Sequence, residues 1–67
     1  MKVYVYDSGD GDIQVFSTLP RALRYARAQG FAIDPIRDAT EDSDILWLLD
    51  TDGASGSITP VRVDQPD

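Results

Sequence analysis

One stretch of this chain, Ser17 to Phe31 (STLPRALRYARAQGF), holds a complete set of helix signals, and it limits what the remaining residues can be. Ser17 or Thr18 supplies an N-cap hydroxyl for an orphan backbone N–H of the first turn. Pro20 follows where a missing N–H costs nothing. Leu19, Ala22, Leu23 and Ala26 recur at i, i+3, i+4 and i+7 and form one apolar stripe. Arg21, Arg24 and Arg27 step by three along another face. Gly30 suits the left-handed position that ends a helix, with Phe31 reaching back toward Ala26 in a Schellman cap. A helix of about ten residues is marginal alone in water. Its stripe has to lie on something, and the flanking segments read as strands.

Lys2 to Tyr6 (KVYVY) alternates Val3 and Val5 with Tyr4 and Tyr6, a strand with an aliphatic and an aromatic face. Asp7 to Asp12 (DSGDGD) is a turn, and Ile13 to Phe16 closes a β-hairpin. After the helix, Phe31 to Ile33 reads as an edge strand or an extended connection, because Pro35 cannot donate to a ladder and pushes Asp34 out of helical space. Ala39 to Asp44 (ATEDSD) is an acidic turn. Ile45 to Leu49 (ILWLL) is apolar on both faces, which predicts a central strand or one that meets a partner. Asp50 to Ser57 (DTDGASGS) is a turn, and Ile58 to Val63 is a last strand that Pro60 confines to an edge or to its own beginning. The tail DQPD is frayed. The expected fold is α+β: one domain over residues 1–67, in the order β-β-α-(β)-β-β, with an antiparallel sheet of four to five strands and one helix on one face. Tyr4, Tyr6 and Trp47 are the residues to look for on the other face, and the ordinary reading of Trp47 is a core residue.

Composition removes several functions. The 67 residues include no cysteine and no histidine, so there is no disulfide, no thiolate and no imidazole base or ligand. Without these there is no conventional nucleophile–base pair, and an enzyme is not expected. No run approaches the roughly 20 apolar residues of a membrane helix, and MKVYVYD lacks the form of a signal peptide. A cytoplasmic protein with no membrane contact is the expectation. Charge is the unusual feature. Twelve acids, eleven of them Asp, face six bases, for a net −6. Three bases sit on the helix between residues 21 and 27; the rest of the chain holds all twelve acids and three bases, a balance of −9. That charge disfavours direct contact with nucleic acid and favours a basic partner.

The acidic turns do not fit a cation loop. Counting from Asp7, an EF-hand would place Gly9, Gly11 and Thr18 where it needs acids at the third, fifth and twelfth positions. Taking Asp52 as the fifth puts Leu48 first and Thr59 twelfth. Gly9 and Gly11 resemble the start of a phosphate loop, but no GK[ST] follows and the neighbouring charges are negative. No cofactor or metal is expected. The acids do recur as pairs: Asp10 with Asp12, Asp42 with Asp44, Asp50 with Asp52. On extended backbone each pair projects to one side about 6 to 7 Å apart. Each then costs about 0.6 kcal/mol of repulsion in water, which a fold tolerates. Fixed negative charge at that spacing is comparable with a phosphate backbone. The ordinary reading stands beside this one, since Asp is frequent in turns for its backbone preferences.

The hairpin MKVYVYDSGDGDIQVF, the helix STLPRALRYARAQGF, the further strands and the acidic turns together resemble the small acidic phage-encoded anti-CRISPR proteins that act on type I systems. The resemblance covers the whole chain at the level of architecture and has no diagnostic motif. It implies a non-enzymatic inhibitor that occupies the DNA-binding surface of a CRISPR effector, in some members as a mimic of double-stranded DNA. The partner would be a basic nucleic-acid-binding protein, and the residues that would meet it are Asp7, Asp10, Asp12, Glu41, Asp42, Asp44, Asp50 and Asp52. The arginine stripe departs from a uniformly acidic mimic and would face away from the partner. The chain would act as a monomer or homodimer. The alternative is an antitoxin-like interaction module that docks or dimerises through its sheet, by Trp47 and the tyrosines.

Overall fold

Ala22 and Ala26 offer little volume to whatever lies beneath them, so a sheet packed there must fill the gap with large side chains. The computed structural model, which describes residues 1–40 and 44–64, shows how this is done. The elements are β1 (Lys2–Asp7), β2 (Ile13–Phe16), α1 (Leu19–Ala28), β3 (Phe31–Ile33), α2 (Pro35–Thr40), β4 (Leu46–Asp50) and β5 (Ser55–Arg62). The strands form one antiparallel sheet in the order β2-β1-β5-β4-β3. The α+β fold expected from the sequence is the fold observed.

Cross-strand partners share a face of a sheet. Tyr6 pairs with Ile58 and Gln14, Ile58 with Leu46, and Leu48 with Gly56. Tyr6, Leu48, Ile58 and Phe31 are buried with Ala22 and Ala26, so this is the face that α1 covers. Leu19 and Leu23 pack against the same cluster. The aromatic rings close the space: Tyr6 meets Tyr25 edge-on at 5.1 Å and Phe31 at 6.0 Å. Such pairs contribute about 0.5–1.5 kcal/mol each beyond their area. Here the sequence expectation is corrected. Tyr4 and Tyr6 lie on the helix side and the valines on the open side, because the Ala-rich stripe needs rings, not valines, to meet it. Trp47 alone of the three aromatics lies on the open face, opposite Ser57.

The helix termini differ in how closely they follow expectation. Thr18 is the N-cap residue in extended conformation, but its side chain makes no capping bond. Gly30 has φ +92°, and its N–H donates to the Arg27 carbonyl at 3.0 Å, one of the two Schellman bonds.

A second helix, absent from the expected order, occupies residues that read as a connection. Asp34 is its cap: Oδ1 accepts the N–H of Ile36 and of Arg37, each at 3.2 Å, and its carbonyl accepts from Asp38 at 3.0 Å. Pro35 sits at the first helical position, where it begins a helix instead of preventing one. α2 packs on β4, and the Arg37 guanidinium lies 3.7 Å from the centre of the Trp47 ring. Ala39 and Thr40 therefore belong to a helix, while residues 41–43 of the expected turn, and residues 65–67 of the expected frayed tail, lie outside the described residues.

β5 is the middle strand, not an edge, and it begins at Ser55. Pro60 is accommodated by register. Met1 and Val63 exchange backbone bonds, so the hydrogen-bonded pairs of β1 with β5 fall on the odd residues of β1. Tyr4↔Pro60 is then a non-hydrogen-bonded pair, and the Pro60 nitrogen points toward β4. The β4 ladder has already ended at Leu46↔Ile58, so no ladder bond is lost. Among the described residues no helix is long and apolar enough to cross a membrane.

Candidate functional site

Antiparallel order places the end of β1, the start of β2, the end of β4, the start of β5 and the C-terminus of α1 at one pole of the sheet. The β1–β2 loop brings Asp7, Asp10 and Asp12 there, and the β4–β5 turn brings Asp50 and Asp52. Asp44 precedes β4 and lies at the opposite pole. Glu41 and Asp42 lie outside the described residues. The structure thus gathers five of the eight acids singled out in the sequence and separates one from them.

The two loops touch. Gly9 has φ +84°, and a Cβ placed on it would fall 2.5 Å from the Ser55 carbonyl oxygen. Only glycine allows the backbones this approach. Between the loops is a cavity of about 180 Å³ whose walls include Asp10, Asp12, Asp50, Ser8 and Tyr6, and no basic side chain.

The carboxylates are built into their loops. The buried Ser8 hydroxyl accepts the N–H of Asp10 at 3.3 Å and of Asp12 at 3.2 Å, and donates to Asp10 Oδ1. Asp7 Oδ1 accepts the Gly9 N–H at 2.8 Å. Asp50 Oδ1 accepts from Asp52 at 2.9 Å and from Ala54 at 2.8 Å. Asp12 accepts from Gln14 at 3.1 Å and from the Tyr25 hydroxyl at 2.9 Å. These bonds correct the picture of acid pairs as rows on extended strands. Asp10, Asp12 and Asp52 stand in a loop and a turn, and the carboxylates of Asp7 and Asp50 at the strand ends gather backbone N–H groups of those segments. Charge is held at fixed positions, yet at spacings set by turns and not by the strand repeat.

The negative field of the pole reaches inward. Burial raises the Tyr6 hydroxyl above its usual pKa, and the charges of Asp12, Asp10 and Asp7, with Tyr25, raise it further. Tyr25 is raised first by its hydrogen bond to Asp12, then by burial and by the Asp12 charge. The Tyr6 hydroxyl is buried and has no hydrogen-bond partner. Ser8 does not stand out as a site residue in the sequence, and Tyr6 does so only as part of a docking face, not beside the acids. The usable signal was the Asp-Ser-Gly-Asp order, which sets a small hydroxyl among acids at the start of a turn.

Arg21, Arg24 and Arg27 are exposed on α1, Arg21 toward its start and Arg27 in the last turn, at the end of the helix nearest the acids. Arg24 and Arg27 border a groove of about 340 Å³ with Leu23, and Arg21 and Arg24 border one of about 540 Å³ with Phe16 and Tyr25. Among the described residues no group of three or more acidic side chains is arranged to hold a metal ion. No protein-family model, no curated protein and no solved structure matches this chain.

Proposed function

We propose that this chain is a non-enzymatic inhibitor of the anti-CRISPR type, whose acidic pole covers a nucleic-acid-binding surface on a type I CRISPR effector complex. The observation that supports this reading is the convergence of Asp10, Asp12 and Asp50, from two separate chain segments, on a cavity with no base in its walls, with Asp7 and Asp52 at the same pole. Asp7 and Asp50 are anchored by backbone N–H groups, and Asp10 and Asp12 by neighbouring side chains, so these four lose little side-chain entropy when a partner's lysines and arginines approach. Complementary charge of this kind accelerates encounter and makes it sensitive to salt. The arginine face of α1 lies outside the acidic cavity, as an inhibitor with one acidic surface requires. The protein acts in the cytoplasm and does not itself contact nucleic acid.

Competition tests the proposal. The protein should displace duplex DNA from a type I effector complex, with a potency that falls as salt rises from about 0.1 to 0.5 M. Replacing Asp10, Asp12, Asp50 and Asp52 by Asn keeps a side-chain oxygen for the Asp52 and Ala54 N–H groups that Asp50 accepts, and removes four charges. Inhibition should weaken at least about tenfold, which corresponds to about 1.4 kcal/mol. Undiminished inhibition by a folded tetra-Asn variant would refute the acidic pole as the contact.

A further inference from the structure

The sheet has a second face, and little of it is covered. Alternation puts Val3 and Val5 of β1, Ile13 and Val15 of β2, Leu49 of β4 and Val61 of β5 on the side away from α1. Ile13 is 59 % exposed, Val15 61 %, Leu49 41 % and Val61 40 %. α2 covers the corner at Trp47, where Arg37 lies over the ring. Asp7, at the margin, is the only charged residue that the strand alternation places on this face, and its Oδ1 is taken by the Gly9 N–H. We infer that this face is the interface of a homodimer, in which two copies stack their sheets about 10 Å apart.

Three properties favour a second copy as the occupant. The face is uncharged across its middle, so two copies meet without burying an unpaired charge. Two such faces would remove on the order of 1,000 Å² from water in total, at the lower bound for a specific interface. The charge also fits one symmetry. A twofold axis along the strands would bring the two acidic poles together at one end. An axis across the strands sets them at opposite ends of the dimer, where repulsion between chains of −6 is least. The chain gains as well, since so short a sequence buries a small fraction of its surface alone.

The inference is independent of the proposed partner of the acidic pole, and salt separates the two. Sedimentation equilibrium should give twice the 7.4 kDa mass of the chain at about 100 µM. Dimerisation should hold or strengthen from about 0.1 to 0.5 M salt, because screening relieves like-charge repulsion while contacts of the acidic pole weaken. Val15→Lys with Val61→Lys should raise the dissociation constant more than about tenfold, with the helix content of the wild type retained. If the lysines prevent folding, the near-isosteric Val15→Thr and Val61→Thr pair gives a folded test, again with weaker dimerisation. A 7.4 kDa species at every concentration up to about 1 mM, or a dimer indifferent to the folded substitutions, overturns the inference.

Discussion

Gly9→Ala tests whether the acidic pole depends on contact between its two loops. Two costs are expected. At φ +84° an L-residue is strained, by about 1–2 kcal/mol. The new Cβ would also stand 2.5 Å from the Ser55 carbonyl oxygen, a backbone atom that cannot rotate away. Overpacking of this kind costs about 1–3 kcal/mol. Together the expected loss is about 2–5 kcal/mol, against roughly 3–10 kcal/mol for the whole domain. Gly11→Ala supplies the control. It lies in the same loop with φ +110°, but nothing stands within 4 Å of its Cβ, so it bears strain alone. Urea denaturation followed by Trp47 fluorescence should place Gly9→Ala at least about 1 kcal/mol below Gly11→Ala. If enough Gly9→Ala protein stays folded, the proposed inhibition should be weaker as well, since Asp10 and Asp12 part from Asp50. Equal stabilities for the two variants would refute the close approach of the loops as the constraint on Gly9.

Two further outcomes follow from the tyrosines. Tyr6→Phe should be neutral or stabilising by about 1 kcal/mol, because it deletes a buried hydroxyl that has no partner; a clear loss in the denaturation midpoint would show that the hydroxyl is satisfied. Alkaline titration supplies the other. Tyr6 and Tyr25 both have raised folded pKa values, so the folded state retains their protons longer than the unfolded chain. Their contribution is fully present below the unfolded value of about 10 and is lost as pH rises through the raised values. Melting temperature should thus fall on passing above pH 10, with ultraviolet absorbance showing part of the tyrosinate signal delayed beyond that pH. Simultaneous ionisation of all three tyrosines at the ordinary value would contradict the field of the acidic pole.

Much of the fold is legible in the residues, and the departures have local causes. The Ser17–Phe31 signals agree with one another, and α1 follows them. The hairpin and the ILWLL strand are equally plain. The face of β1 is ambiguous because valine and tyrosine both suit a buried strand; the decision lies in the small side chains of α1, which are distant in sequence. In Asp34-Pro35 the same dipeptide can end an extended segment or cap a helix, and the two N–H groups gathered by Asp34 Oδ1 decide for the helix. The acids show a similar division. Their number and their pairing are visible in the sequence, but their gathering at one pole depends on strand order, which no local pattern encodes. Asp44 shows the limit, since it shares the spacing of the others and ends at the far pole.

Pro60 has a consequence for how the molecule avoids its own kind. Beyond Ile58 the ladder with β4 ends, and among the described residues no strand pairs with residues 60 to 62 on that side. The backbone groups on that side belong to Pro60 and Arg62, by the same alternation that keeps Thr59 and Val61 turned to β1. A strand from a neighbouring chain that slid in beside β5 would find a carbonyl at Pro60 but no N–H, and then a charged side chain. The outer borders are four residues long at β2 and three at β3. Short edges and a proline beyond the end of the ladder are devices by which sheet proteins resist growth into fibres. In a domain with an uncovered apolar face, they leave stacking of faces, and not the zipping of edges, as the favoured route to self-association.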